Sequence, residues 1–432
     1  MDTSDLYHTQ GITDFKHVCT KYQGGCVIET IRRKRFECPC CHYREVSTYF
    51  RHDRLIQSLP VGKMPLLLKV PVHLIYCPRC KKRSVEHFDF LPTPDSRITN
   101  ALARTLVELR NDVTLSALSR YFGVDPRIIK ACEKSYLARK YAHIRLKDVK
   151  SIGIDEIYIG KTRERKYRFL TIVRDLDTGA VLFVGEGKGV EALEPFSRSL
   201  RRAHAYIEFV AMDLGRPFQK WAKENLPGAC IVHDHFHVMK LMNDKLNAVR
   251  RRTAATLDEE QRKVVKGMRF TLMRNIEELT PLEHEHLAEV FRQSKDLASM
   301  HVMKEELRSI YRTCPTEEDA RRQLVSWAVS AADLDIPELA DMALSVISHL
   351  EGIAAYWLGG LSTASMEGFN NKIRALTRQA YGFRDMEYFR LKIFDLPQAR
   401  VQDYDEYILP GQRTRLSQVR KLISNAEPSH NL

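Results

Sequence analysis

The alternation of hydrophobic and polar positions changes period along the 432-residue chain, and each change marks a different kind of structure. Over roughly the first 90 residues, apolar positions come in alternating runs such as YREVSTYF and PLLLKVPVHLIY, predicting short strands joined by turns. FLPTPDSR follows, and its two prolines predict a linker. ITNALARTLVEL then sets Ile98, Ala101, Leu102, Thr105, Leu106 and Leu109 on one face at helical spacing. In TLSALSRYFGVDPRIIKACEKSYL two short helices are expected around a tight turn. Thr114 caps the first and Gly123 ends it; Asp125 caps the second, with Pro126 at its first helical position.

From residue 151 the strand period returns in SIGIDEIYIG, YRFLTIVRD, AVLFVGEG, YIEFVAMD and ACIVHD. Helices are expected around 190–203 and from Pro217, and DLDTG (Asp175 to Gly179) supplies a hairpin turn. Three hairpin-joined strands followed by strand–helix repeats predict a mixed sheet with helices packed on it. From about 236 to 360 the pattern is amphipathic helix throughout, broken at Pro281, Pro315 and Pro337, and two more helices follow residue 362. The fold class expected is multidomain α/β.

Charge adds a functional direction. Residues 1–150 hold 27 Lys and Arg against 15 Asp and Glu, a net of +12, whereas residues 151–432 hold 41 against 40, a net of +1. An excess confined to one region is the footprint of a module that neutralises phosphates; a merely solubilising surface would spread it. No apolar run reaches membrane-spanning length, and MDTSDLYHTQ has none of the features of a secretory signal. A cytoplasmic protein with no membrane partner is expected.

Five of the ten cysteines fall within residues 38–80. Cys38-x2-Cys41 and Cys77-x2-Cys80 have the spacing of two metal knuckles, and four thiolates close a tetrahedral site for which Zn²⁺ is the expected ion. Cys40 or His42 could replace Cys41 in this register, and Cys19, Cys26, Cys132, Cys230 and Cys314 read as free thiols. Such a site is structural, because it leaves no position for water. The two helices after it read as a helix-turn-helix. Ile128, Ile129 and Cys132 face inward, while Arg127, Lys130 and Lys134 face guanine edges or phosphates of double-stranded DNA. A plain helical hairpin is the alternative, and the basic surroundings favour DNA.

Phosphoryl transfer on DNA calls for a metal pair held by carboxylates on separate rigid elements. Asp155 interrupts an apolar strand, where an uncompensated charge would be costly, and Asp213 ends the apolar run IEFVAM. Glu367 opens a helix rich in Asn and Arg. Glu156 competes with Asp155, while turn chemistry accounts for Asp175 and Asp177. In HDHFH, His233, His235 and His237 alternate with Asp234 and Phe236, which reads either as a metal site or as polar residues capping a helix.

GIDE, AMDLGRPF, VHDHFHVMK and MEGFNNKIRALTRQAYGFRDMEYFRLKIF together resemble bacterial insertion-sequence transposases of the DDE superfamily, in the group called ISL-three, over nearly the whole chain. The resemblance implies a ribonuclease-H-like core whose triad, Asp155, Asp213 and Glu367, binds Mg²⁺ or Mn²⁺. It accounts for the separation of 154 residues from Asp213 to Glu367 by an all-helical insertion after the fifth core strand. CPCC and CPRC match its zinc-binding front end, and Asp234-x2-His237 matches a D-x2-H signature. Lys372, Arg374 and Arg378 are expected to clamp substrate phosphates. The position three before Glu367, commonly Asn in the family, is Ala364 here.

The organisation expected is a zinc ribbon over 1–92, a helix-turn-helix over 97–140 and a core over 150–238 and 361–400. An all-helical insertion spans 239–360 and a polar basic tail spans 401–432. The function expected is binding of terminal inverted repeats followed by strand cleavage and transfer into target DNA, by a homodimer or larger assembly, nucleoid-associated when bound. The rivals are a DNA-binding regulator with a silent nuclease-like core, and a nuclease without strand transfer.

Overall fold

The structure is a computed structural model that describes residues 3–161, 168–359, 364–380 and 382–397. The tail expected at 401–432 lies outside the described residues. The chain divides into two compact units, Met1–Ala142 and His143–Leu432.

The first unit opens with α1 (Thr3–Gln10), followed by β1 (Phe15–Gln23), β2 (Cys26–Arg33), β3 (Ser47–Val61), β4 (Met64–Cys77) and β5 (Lys82–Val85). The sheet order is β1-β2-β4-β3, with β5 also paired to β4. Strands β3 and β4 run to 15 and 14 residues, longer than the short strands expected. Gly62, at φ 60°, turns one directly into the other, so the alternation on both sides belongs to a single long hairpin. The polar N-terminus forms a helix because Leu6, fully buried, and Ile12 pack on Val27, Ile31, Leu66 and Leu68.

The segment read as a linker is held on β3. Gln57 N donates to Arg97 O and Thr99 N to Gln57 O, each at 2.9 Å, and the Arg54 guanidinium donates to the Pro94 and Ser96 carbonyls. Three helices complete the unit: α2 (Asn100–Leu109), α3 (Leu115–Phe122) and α4 (Pro126–Lys140). Their punctuation is as expected. Thr114 Oγ1 accepts from Ala117 N at 3.3 Å, Gly123 adopts φ 65°, and Asp125 Oδ1 accepts from Arg127 N at 2.7 Å. Ile98, Leu102, Leu106, Leu118, Val124 and Ile129 share a small core, although Ile98 lies ahead of the α2 cap, Thr99.

In the second unit all five expected strands form: β6 (Ser151–Gly160), β7 (Arg168–Asp175), β8 (Val181–Glu186), β9 (Phe209–Met212) and β10 (Cys230–His233). The order is β10-β9-β6-β7-β8, antiparallel through β6, β7 and β8 and parallel through β6, β9 and β10. Helices α5 (Glu194–Ala203) and α6 (Arg216–Asn225) bury Phe196, Leu200, Phe218 and Trp221 against Ile152, Ile154, Val210 and Met212.

From His235 to Gly359 the described residues form helices and no strand. In chain order these are α7 (His235–Thr256), α8 (Glu259–Gly267), α9 (Arg269–Met273), α10 (Pro281–Gln293) and α11 (Lys295–Thr313). They continue with α12 (Glu317–Asp333), α13 (Pro337–Ser348), α14 (Leu350–Ala354) and α15 (Tyr356–Gly359). Pro281 and Pro337 each stand at a helix start, and Pro315 separates α11 from α12. These helices bury their apolar stripes in one core of their own, and α14 returns to β10. A Cβ on Gly352 would lie 2.5 Å from the His233 ring, so only glycine permits that approach. Finally α16 (Ala364–Gln379) and α17 (Met386–Asp395) cover the remaining sheet face, packing Phe369, Ile373, Phe389 and Ile393 on Ile157, Leu170 and Ile172.

Candidate active site and cysteine cluster

Strand register brings the acids together. β6 lies parallel to β9 with Gly153 beside Ala211, where the pairing ends; Asp155 and Asp213 each follow two residues on, close enough for the Asp213 charge to act on Asp155. β10 continues the row, for His233 pairs with Met212 and the next position sets Asp234 beside Asp213. Asp155, midway along β6, and Asp213 and Asp234, just past the ends of β9 and β10, thus belong to three neighbouring strands, each strand about 4.8 Å from the next. Ile152, Ile154, Val210 and Met212 belong to the core under α5 and α6. The alternate positions, Gly153, Asp155, Ala211 and Asp213, face the opposite side, where α16 lies over β6.

Helix α16 follows β6 closely. A Cβ on Gly153 would come within 3.0 Å of Met366 Sδ, and Asn370 Nδ2 donates to Asp155 Oδ2 at 2.6 Å. Phe369 marks the β7 side of the helix, since the Arg174 guanidinium from β7 stacks 4.2 Å from its ring centroid. Glu367 is exposed, and it lies about 160° around the helix from Phe369. That places it on the flank of the helix away from β7. Among the described residues, the only set of three or more potential metal ligands within 4.8 Å of one another is a cysteine cluster, so the three acids are not drawn that close. A pair of ions about 4 Å apart spreads its ligands over a wider span and does not require such closure.

The acids sit in a strained electrostatic setting. Burial raises the Asp155 pKa and the Asp213 charge adds to it, while the Glu156 backbone N–H, His237 and Asn370 act the other way. Glu156 N donates to Asp155 Oδ1 at 2.7 Å, and Gly215 N donates to Asp213 Oδ1 at 2.9 Å. Glu156 is itself half-buried and pushed up to about 7, by burial first and then by Asp213, with Lys188 opposing. It belongs to the same charge cluster, which its place beside Asp155 in GIDE was the sole sign of. Gly215 and Asn370 stand inside the blocks that resemble the family, but neither was read as a site residue.

The HDHFH residues diverge. His233 is buried, contacts Gln219 Nε2 at 3.1 Å, and is pushed down to about 4 by burial and then by His349. His235 is also lowered by burial, with its ring centroid 4.2 Å from that of Tyr311. His237, by contrast, acts on Asp155. Asp234 stands at the start of α7, where its carbonyl accepts from His237 N at 3.1 Å, but its side chain makes no capping bond. Helix capping therefore does not account for that buried carboxylate.

In the first unit, Cys38, Cys41, Cys77 and Cys80 bring their sulfurs within 4.8 Å of one another, with Cys38–Cys80 and Cys41–Cys77 at 3.6 Å. Four thiolates 2.3 Å from one tetrahedral ion would stand about 3.8 Å apart, so the donor set fits a metal. Cys40 N donates to Cys38 Sγ, which helps draw that thiol down to about 6. The register alternatives fall away: Cys40 is exposed, and His42 Nδ1 pairs with Glu37 at 3.0 Å. The five remaining cysteines are free and outside the cluster.

The basic residues of α4 are arranged differently from the expectation. Arg127 is exposed with its guanidinium on its own Asp125, while Lys130 and Lys134 are half-buried. The inner stripe of the helix is Ile129, Glu133 and Leu137, because Glu133 enters the core to accept from Arg110 at 2.9 Å. Beside the second cysteine pair, Arg79, Lys81, Lys82 and Arg83 are exposed and make no ion pair among the described residues. On α16, Lys372, Arg374 and Arg378 are exposed, with Arg374 donating to Asn371 at 2.8 Å.

Apart from Ser151 at the start of β6, the strands, the acids and α16 fall within residues 152–393, which match a family model described as a transposase. The match spans more than half of the chain, which belongs to that family, the ISL3 (ISL-three) transposases, and is a DDE-type DNA transposase. It is similar to the transposase for insertion sequence element IS1001 of Bordetella parapertussis, 28% identical over 360 residues, covering 82% of this chain and 87% of that protein. It is also similar to the transposase for insertion sequence element IS1557 of Mycobacterium tuberculosis, 29% identical over 56% of this chain and 58% of the other. Among solved structures, the Drosophila P element transposase strand transfer complex aligns with a TM-score of 0.40 at 12% identity, covering 69% of this chain and 91% of that one. Membership of the family implies a DNA partner and divalent metal. Among the described residues, no helix is long and apolar enough to cross a membrane.

Proposed function

We propose that the protein binds the terminal inverted repeats of its own element and performs two in-line displacements at phosphorus. The first hydrolyses a phosphodiester at the element end; the second directs the freed 3′-hydroxyl at target DNA, with no covalent enzyme intermediate. The observation that carries this reading is that the Asp213 charge acts on Asp155, while the helix bearing Glu367 is hydrogen-bonded to Asp155 through Asn370. In this reading residues 150–238 and 361–400 are a ribonuclease-H-like core, and 239–360 an all-helical insertion. The cysteine knuckles belong to a zinc ribbon and α2 to α4 to a helix-turn-helix.

Mg²⁺ or Mn²⁺ at Asp155, Asp213 and Glu367 would supply Lewis-acid activation of water and stabilise the leaving oxygen. The chain's own part is positioning. Asp155 and Asp213 are fixed by strand register and by the Glu156 and Gly215 backbone N–H groups, so their like charges are held close at the expense of stability. Glu367 is presented by a helix packed on β6, and Lys372, Arg374 and Arg378 line its exposed side for phosphates. Asp234 and His237 border the row, and His237 favours the ionised Asp155. Cys38, Cys41, Cys77 and Cys80 would hold Zn²⁺, which would brace the end of the β3–β4 hairpin and take no part in the chemistry. Arg79, Lys81, Lys82 and Arg83 join Arg127, Lys130 and Lys134 as candidate DNA contacts, and the working complex is a homodimer or larger.

Labelled DNA carrying the element's inverted repeats, incubated with the protein and Mg²⁺, distinguishes the readings. Cleaved ends with free 3′-hydroxyls that join to a target plasmid are the expected products. Cleavage without joining would indicate a nuclease, and binding without cleavage a regulator.

A further inference from the structure

We propose that Asn370 is a positioning residue for the reaction: its amide orients the Asp155 carboxylate toward the cation and fixes the distance from β6 to the helix carrying Glu367. The proposal rests on the reading of Asp155 as a metal ligand. Asn370 is 4% exposed and lies on the inner stripe of α16, between Met366 and Ile373. Folding alone would place an apolar residue there, since its neighbours on that stripe are packed hydrophobics. Its Oδ1 is buried with no hydrogen-bond partner among the described residues, an arrangement that costs stability. The position therefore serves something other than packing.

What it serves is visible at the other end of the amide. Nδ2 donates to Asp155 Oδ2 at 2.6 Å, and the Glu156 backbone N–H donates to Oδ1 at 2.7 Å. Each carboxylate oxygen is thus held by one N–H, which sets the plane of the group. Each oxygen keeps a second lone pair for a cation. An amide suits this task better than lysine or arginine, because it donates without bringing a positive charge that would compete with the metal. Asn370 also lies three residues beyond Glu367, about one turn along the same helix. The single hydrogen bond therefore couples the first acid to the element that presents the third.

Two variants of the full-length protein separate positioning from packing. Asn370→Leu keeps the branched shape and the number of heavy atoms and removes the donor, and Asn370→Ala removes both. Mn²⁺ binding is followed by electron paramagnetic resonance without DNA, alongside thermal unfolding and the Mn²⁺ concentration giving half-maximal cleavage. Both variants should need at least about tenfold more Mn²⁺ in the binding and the cleavage titrations, the loss typical of removing a residue that orients a ligand. The melting temperature of Asn370→Leu should fall less than that of Asn370→Ala, because both lose the hydrogen bond to Asp155 and only the alanine also leaves a cavity. Parent-like Mn²⁺ binding in Asn370→Leu, with loss confined to Asn370→Ala, would show a packing role and overturn the proposal. If Asn370→Leu unfolds, Asn370→Ala decides, and parent-like Mn²⁺ binding by it overturns the proposal equally. Asp155→Asn is run in parallel. If it binds Mn²⁺ like the parent, Asp155 is not a ligand and the underlying reading fails; if it loses Mn²⁺ while both Asn370 variants keep it, only the positioning role fails.

Discussion

Gly215 and Gly153 are small because of the side chains next to them. A Cβ on Gly215 would lie 2.7 Å from Asp213 Oδ1, and one on Gly153 would lie 2.8 Å from Leu176 and 3.0 Å from Met366. Gly215→Ala should therefore displace the Asp213 carboxylate. Displacements of about 1 Å cost on the order of 100-fold in rate, so single-turnover cleavage should fall by about that factor while the melting temperature shifts little. Unchanged cleavage would mean that Asp213 need not occupy its observed position. Glu156 gives a pH test in Mg²⁺-free buffer. Its folded pKa, about 7, is above its ordinary value of 4.5, so the folded state holds the extra proton between these limits. Stability should then fall as pH rises from about 4.5 to about 7 and level off above, with Asp155, also raised, contributing in the same direction. Glu156→Gln should flatten much of that slope in denaturant titrations at pH 5 and pH 8; a slope as steep as the parent's would remove Glu156 from the charge cluster. At this scale Asp155 and Asp213 were legible, because a charge in an apolar strand needs a reason. Asn370 and Gly215 were not, since a hydrogen bond across 215 residues and a carboxylate's clearance leave no local pattern.

The elements were legible where backbone chemistry is local. Thr114, Gly123, Asp125 and Pro126 marked the α3–α4 turn, and five alternating or apolar runs marked β6 to β10. Where tertiary contacts decided, the pattern misled. Glu133 takes a buried place on α4, paired with Arg110, and Lys130 and Lys134 are half-buried. Two apolar residues, Leu6 and Ile12, suffice to order a terminus that has no periodicity. The cysteine knuckles show both effects: their spacing was plain, and the choice of Cys41 over Cys40 and His42 required the fold. Cys77→Ser with Cys80→Ser should abolish stoichiometric zinc measured by atomic absorption, because two thiolates cannot close the site. The sheet of the second unit should survive, and zinc retained in full would refute the ligand set.

For the whole molecule, charge and chemistry divide between the two units. The basic excess lies in residues 1–150, and the acids of the site lie in residues 151–432. Residues 1–142 should therefore bind end DNA with a steep salt dependence, and residues 143–432 much more weakly, in fluorescence anisotropy titrations across salt. Similar affinities of the two pieces would contradict that division. The central claim is that Asp155, Asp213 and Glu367 act as one catalytic unit, and single-turnover cleavage of labelled end DNA in Mg²⁺ tests it most directly. Asp155→Asn, Asp213→Asn and Glu367→Gln should each lower cleavage by several orders of magnitude, and a double variant should be little worse than a single one. Affinity for end DNA without metal should be unchanged. Asp177→Asn, in an exposed hairpin turn, should cleave like the parent. Near-normal cleavage by Glu367→Gln would contradict the account, because the exposed acid on α16 would then not be the third ligand.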